Sequence, residues 1–85
     1  MHTIEFTVDA LKALAVMPRN TARLIRSKID LLAADPTAPN NNVKRLKGSA
    51  HYRLRVGDWR VDYEVQNDKL VIVVVRIAPR GSVYD

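Results

Sequence analysis

The spacing of hydrophobic and polar residues predicts a strand followed by two helices in the first half of the chain. Apolar and polar residues alternate in Thr3–Val8, which predicts a short strand. Asp9 is the predicted N-cap of a helix over Ala10–Val16. Apolar residues then recur at three- and four-residue spacing from about Pro18 to Ala34, which predicts a longer helix that Asp35-Pro36 ends.

The second half of the chain is typical of β-structure. Residues 51–56 and 59–65 alternate around Gly57-Asp58, which predicts a β-hairpin with a two-residue turn. Leu70–Ile77 is apolar on both faces, which predicts a central strand covered on both sides. Lys44–Leu46 is a candidate for a further short strand. The predicted fold class is therefore α+β: one N-terminal strand, two helices, then an antiparallel β-meander.

In this arrangement the helices pack on one face of the meander and the basic side chains occupy the other. The predicted core face is formed by Leu54, Val56, Trp59, Val61 and Tyr63.

The hairpin register sets two like charges against each other. With a two-residue loop, the residues on the polar face pair as Arg55 with Arg60, Arg53 with Asp62, and His51 with Glu64. Like charges that face each other across two strands destabilise a sheet. A bound anion would relieve that cost, and the planar fork of arginine suits phosphate. Exposed arginines that splay apart would avoid the same cost, so a phosphate site and a solvated face both stay open.

Composition narrows the class of protein. The chain has 85 residues, of which 47% are hydrophobic, and this suits a single domain over residues 1–85. It contains no cysteine, which excludes a disulfide framework and a cysteine metal site and fits a reducing cytoplasm. No apolar segment has the length of a signal peptide core or a membrane span. We therefore expect a cytoplasmic protein that does not enter a membrane.

The charge is unevenly distributed. The formal net charge is +5, and most of the excess lies between residues 44 and 60. A concentrated basic segment indicates a polyanion or an acidic protein as partner, although a solvated surface would show the same composition.

The order of these motifs resembles a known family. A strand, two helices, "LKG", "YRLRVGDWRVDYEV" and then "RIAPRGSVY" are similar to the RelE/ParE superfamily of toxin–antitoxin systems, and most of all to its RelE branch of messenger-RNA-cleaving toxins. The resemblance implies the RelE-like microbial ribonuclease fold. It also implies a ribosome-dependent endonuclease that cleaves messenger RNA in the A site by 2′-hydroxyl attack, without a cofactor or metal. The implied partners are a cognate antitoxin, in a hetero-oligomer, and the ribosome with its messenger.

The resemblance also implies roles for particular residues. The implied catalytic residues are Arg53, Arg55, Arg60, Arg80 and Tyr84, and the implied RNA-binding residues are Lys44, Arg45 and Lys47.

The proton-transfer group is less defined. Many relatives carry histidine or lysine at the position of Pro79, and arginine is a poor proton acceptor. His51 alternates onto the face of Arg53 and Arg55, so it is a candidate for proton transfer, although a surface ion pair with Glu64 is the other interpretation. Two further functions stay open: a ParE-like inhibitor of DNA gyrase without nuclease activity, and a degenerate toxin that acts only in its antitoxin complex.

Overall fold

The computed structural model of the chain describes residues 2–48 and 50–80. Seven elements follow one another in the order that the sequence predicts: β1 (Thr3–Phe6), α1 (Val8–Val16), α2 (Arg19–Ala34), β2 (Val43–Arg45), β3 (His51–Val56), β4 (Trp59–Gln66) and β5 (Val71–Pro79).

The five strands form one mixed sheet in the order β1-β5-β4-β3-β2. Strands β2 to β5 form the predicted antiparallel meander, whereas β1 pairs in parallel with β5, from Thr3 opposite Val71 to Phe6 opposite Val74. The α+β prediction is confirmed. The parallel pairing brings the first and last strands side by side. Both helices and strands β2 to β4 lie between them in the sequence.

The helices cover the face of the sheet that the sequence predicts. Leu54, Val56, Val61 and Tyr63 are buried in one cluster with residues of both helices, and Trp59 packs against its margin. Because side chains alternate along each strand, the arginines between these positions lie on the opposite face. Among the described residues, no helix is both long and apolar enough to cross a bilayer.

Strand β5 differs from its prediction in one respect. It lies inside the sheet, between β1 and β4, and its core face is fully buried at Ile72 and Val74. Its second face is only half-buried at Val71, Val73 and Val75, so coverage on both sides is not observed. The reason is that residues of both helices join the same core cluster, on one face of the sheet.

The start of α1 also corrects a prediction. The N-cap is Thr7, not Asp9, and β1 consequently ends at Phe6. The Thr7 hydroxyl accepts a hydrogen bond from the Ala10 backbone N–H (3.2 Å) and donates one to the Val75 carbonyl (2.6 Å). Asp9 instead lies in the first helical turn, where a negative charge interacts favourably with the helix dipole.

Tyr63 gives the core a measurable pH dependence. Its ring is 2% exposed and stacks on Tyr52 with centroids 5.6 Å apart. Burial, with a smaller contribution from Tyr52, raises the pKa of Tyr63 to about 12. The unfolded chain therefore ionises Tyr63 at lower pH than the folded protein does. This contribution to stability is complete below about pH 10 and is lost as the pH rises towards 12, by on the order of 2 kcal/mol.

We expect the free energy of unfolding of the wild-type protein to fall more steeply between pH 10 and 12 than that of a Tyr63→Phe variant. Urea unfolding at a series of pH values measures both slopes, and the difference cancels the titration of lysines common to the two proteins. Parallel slopes would show that Tyr63 ionises equally easily in the folded and unfolded states.

Candidate anion-binding site

The β3–β4 hairpin has the register that its two-residue turn predicts. Gly57 has a φ of 56°, and a glycine with positive φ at the first turn position is typical of a type II′ turn. Arg55 is directly opposite Arg60, as predicted. The two complementary pairs, Arg53 with Asp62 and His51 with Glu64, are also confirmed. The like-charge pair is thus a property of the folded sheet.

These arginines line a groove on the polar face of the sheet. Arg53, Arg55 and Arg60 form it together with Lys44 and the loop that precedes β2, and its volume is about 350 Å³. Lys44 contributes because it is opposite Arg53 in the β2–β3 pairing. The backbone N–H of Arg55 donates to the Asn42 carbonyl (2.8 Å), which fixes the loop beside the arginines. We call this site the basic groove; among the described residues its lining is Asn41, Asn42, Val43, Lys44, Arg53, Arg55 and Arg60.

Arg80 lies at the hairpin end of the basic groove. Its backbone N–H donates to the carbonyl of Asp58 in the turn (2.6 Å). Arg80, Arg55 and Arg60 line a smaller depression of about 60 Å³, together with Gly57 and Trp59. Since Arg55 and Arg60 line both spaces, the structure brings four of the five predicted catalytic residues together. The fifth, Tyr84, lies outside the described residues.

Arg53 has a carboxylate partner within the sheet. Its Nε donates to Oδ1 of Asp62 at 2.8 Å, and its Nη2 to Oδ2 at 3.4 Å. The two side chains are only 21% and 10% exposed, so the ion pair is largely shielded from water. Asp62 is also the one charged residue that is buried in the described part of the chain.

Arg76 is a residue of this face that the sequence analysis did not single out. It is opposite Asp62 on β5 and is exposed, so Asp62 lies between Arg53 on one side and Arg76 on the other. In the sequence, Arg76 is distinctive as the single charged residue in the otherwise apolar strand β5. Its significance depends on the β4–β5 register, which shifts at a bulge between Asp62 and Tyr63.

His51 lies on the same face but outside the groove. Its Nε2 is 3.5 Å from Oε2 of Glu64, whose other oxygen accepts a hydrogen bond from Gln66. Arg55 is four positions after His51, which is about 13 Å along the strand. The structure thus places the proton-transfer candidate beside Glu64 and away from the facing arginines.

The predicted RNA-binding residues divide between two surfaces. Lys44 lines the basic groove, whereas Arg45 is opposite Tyr52 in the β2–β3 pairing and alternates to the other face of the sheet. Arg45 and Lys47 line a separate open depression near Gly48. Only Lys44 therefore joins the arginines.

The basic groove is suited to a phosphodiester. Guanidinium groups remain charged at any physiological pH and give parallel charge-assisted hydrogen bonds to phosphate oxygens. Cations that the backbone already holds in position stabilise negative charge without further reorganisation. The site therefore fits an anion whose charge is spread over several oxygens.

Comparison with known proteins agrees with this fold. Residues 4–84 match the family model described as ParE toxin of type II toxin–antitoxin system, parDE. Two relatives come from Methanocaldococcus jannaschii. RelE1 is 32% identical over 95% of this chain and 92% of its own length, and the toxin RelE3 is 34% identical over 72% and 75%.

Solved structures show the same architecture. The archaeal RelE–RelB complex from Pyrococcus horikoshii superposes with a TM-score of 0.82 at 29% identity, over 96% of this chain and 98% of that one. The intact Escherichia coli RelBE toxin–antitoxin complex gives 0.80 at 19% identity, over 96% and 99%, which shows the fold alone. The full-length family match and the RelE relatives agree: the chain belongs to the RelE/ParE superfamily of type II toxin–antitoxin toxins and is RelE-like.

Proposed function

We propose that this toxin is a ribosome-dependent endoribonuclease that cleaves messenger RNA in the A site and so inhibits translation. The observation that carries the proposal is the facing pair Arg55 and Arg60, held by the hairpin register with Arg80 fixed to the turn between them. A surface that needed only solubility would avoid this like-charge pair. A phosphate bound between the arginines would accept charge-assisted hydrogen bonds from both strands of the hairpin.

The proposed reaction needs little more than position and positive charge. The 2′-oxygen of a nucleotide forms a bond to the adjacent phosphorus, and the bond from phosphorus to the 5′-oxygen of the next nucleotide breaks. The products are a cyclic phosphate and a 5′-hydroxyl, and the proton of the 2′-hydroxyl is lost as the 5′-oxygen gains one. Negative charge accumulates on the phosphate oxygens in the transition state, where Arg55, Arg60 and Arg80 stabilise it.

We infer dependence on the ribosome from the described lining of the basic groove. The charged residues there are Lys44 and three arginines, and arginine is a poor proton acceptor at neutral pH. In-line attack also requires an RNA backbone held in one conformation, and correct orientation contributes a large part of such a rate. The ribosome supplies a messenger held in that way. We propose that Arg45 and Lys47, on their separate surface, contact ribosomal RNA.

The proposed protein partner is a cognate antitoxin that binds as a hetero-oligomer. The Pyrococcus horikoshii relative was solved as a complex of RelE with RelB. In the present chain the helical layer exposes Leu11, Leu24 and Leu31, which offers apolar contacts, and the basic groove attracts acidic side chains. An antitoxin that places carboxylates in the groove would neutralise the residues that stabilise the transition state.

A second candidate function is inhibition of DNA gyrase without nuclease activity. The family model that matches residues 4–84 is that of the ParE toxin, and Pro79 precedes Arg80 where many RelE toxins have a protonatable side chain. This function predicts that the pure protein inhibits supercoiling and leaves messenger RNA intact on the ribosome.

Replacing Arg60 or Arg80 with alanine should slow cleavage at least about 100-fold, because each substitution removes a cation aligned with the developing charge. Primer extension on a messenger held on ribosomes with an empty A site measures the rate, and the same messenger free in solution should stay intact. The matched control is Arg23→Ala, which removes an equal charge from an exposed position of α2.

Two results would contradict this assignment. If the Arg60→Ala and Arg80→Ala proteins fold and cleave at the same rate as Arg23→Ala, the groove has no part in the cleavage mechanism. A folded wild-type protein that cuts neither sample would exclude the nuclease, and inhibition of gyrase by that protein would establish the second candidate.

His51→Gln should leave the rate of cleavage within about threefold of wild type, because His51 faces Glu64 and is remote from Arg55. General acid or base catalysis contributes 100-fold or more. A loss of that size in a folded protein would instead make His51 the proton-transfer residue.

Charge reversal in the groove should weaken the antitoxin complex. We expect Arg55→Glu to reduce affinity for the antitoxin at least tenfold in calorimetric titration, since it places a like charge against the acidic side chains. Lys69→Glu, at the exposed turn before β5, is the matched control and should bind as the wild type does. Equal affinities for the two variants would show that the antitoxin does not cover the groove.

A further inference from the structure

We infer that Asp62 is a positioning residue for Arg53, and that it converts this arginine from a mobile surface cation into an oriented donor in the basic groove. The inference rests on the proposed function for its consequence in catalysis. Its structural basis is independent of that function, because it depends only on the contacts between β3 and β4.

The contact between the two side chains is directional. Both carboxylate oxygens of Asp62 are engaged by one guanidinium, through Nε at 2.8 Å and Nη2 at 3.4 Å. This two-point contact fixes the plane of the guanidinium as well as its position. Arg55, two residues along the same strand, is exposed at the rim of the same groove. Only one of these two neighbours is therefore held by a buried partner.

The contact with Asp62 involves one edge of the Arg53 guanidinium. A guanidinium carries five N–H groups, of which two point to Asp62. Arg53 also lines the basic groove, so the guanidinium plane that Asp62 fixes borders the groove. A preorganised donor stabilises a transition state better than a flexible one, because no reorganisation accompanies the reaction.

The same ion pair limits the attraction of the groove for RNA in general. Asp62 offsets one positive charge next to Lys44 and Arg55, in the most basic part of the chain. Affinity for a polyanion rises with each cation that is free to displace counterions. Removal of the Asp62 charge should therefore have two opposite effects: looser positioning of Arg53, which lowers the rate of cleavage, and a more positive groove, which tightens non-specific RNA binding.

The test compares Asp62→Asn with Asp68→Asn. The first variant keeps the shape of the side chain and loses its charge. The second loses the same charge at the exposed turn that follows β4, away from the groove. For Asp62→Asn we expect kcat on ribosome-bound messenger to fall at least tenfold while KM stays equal or decreases. Binding to a single-stranded homopolymeric RNA should tighten about twofold or more, with a steeper salt dependence. Asp68→Asn should cleave within twofold of wild type.

A second measurement reports on Arg53 directly. In the wild-type protein, the Nε–H resonance of Arg53 should exchange with water at least tenfold more slowly than that of an exposed arginine such as Arg23. In Asp62→Asn this protection should be lost while the backbone amide spectrum stays that of the folded protein. A merely structural role would change the spectrum or the melting temperature and would not tighten RNA binding while kcat falls.

Several results would overturn the inference. One is slow exchange of Arg53 Nε–H that persists in Asp62→Asn, and another is a kcat within twofold of wild type after that protection is lost. A third is a KM that rises with no change in kcat. Failure of the proposed function is visible elsewhere, as absence of cleavage by the wild-type protein, and in that case the exchange measurement still decides whether Asp62 orients Arg53.

Discussion

The whole site depends on the register of one hairpin, and the register depends on a two-residue turn. Gly57 adopts a φ of 56°, a conformation that other residues reach only with strain, and no atom lies within 4 Å of the position its Cβ would occupy. The turn therefore requires glycine for its backbone and not for space. A slip of one residue would turn Arg53 and Arg55 towards the helices and Leu54 towards water. The buried core face and the charged face thus enforce the same pairing.

This arrangement places the core and the candidate site on opposite faces of the sheet. The helices bury Leu54, Val56 and Val61, and this apolar area is the main source of folding free energy. The opposite face does not contribute to this core. It carries a pair of facing arginines, which lowers the stability of the sheet by a few tenths of a kcal/mol or more. A cost of this size is small beside the burial on the other face. The protein therefore tolerates the facing arginines on this face of the sheet.

Local chemistry explains which features could be predicted from the sequence. The pairs of Arg55 with Arg60 and Arg53 with Asp62 follow from Gly57-Asp58 alone, since a two-residue loop fixes every pair beyond it. The parallel pairing of β1 with β5 joins residues almost 70 positions apart, and nothing local specifies it. Thr7 replaces Asp9 as the helix cap for the same reason, because its hydroxyl also bonds to Val75. The burial of Asp62 becomes evident only when strands on both sides of β4 are in place.

The fold by itself does not choose between a nuclease and a gyrase inhibitor, because a fold does not determine a function and chemistry belongs to the site. The arrangement of the four arginines in the site bears on this choice between functions. Arg55, Arg60 and Arg80 converge on one small depression, and Arg53 is held at its side by a buried carboxylate. A surface that only binds an acidic protein gains from positive charge in any arrangement. A contact that fixes the plane of a guanidinium, as Asp62 does for Arg53, has most effect where charge develops at a defined point. For this reason the arrangement supports the proposal of phosphodiester cleavage over that of a simple acidic-protein binder.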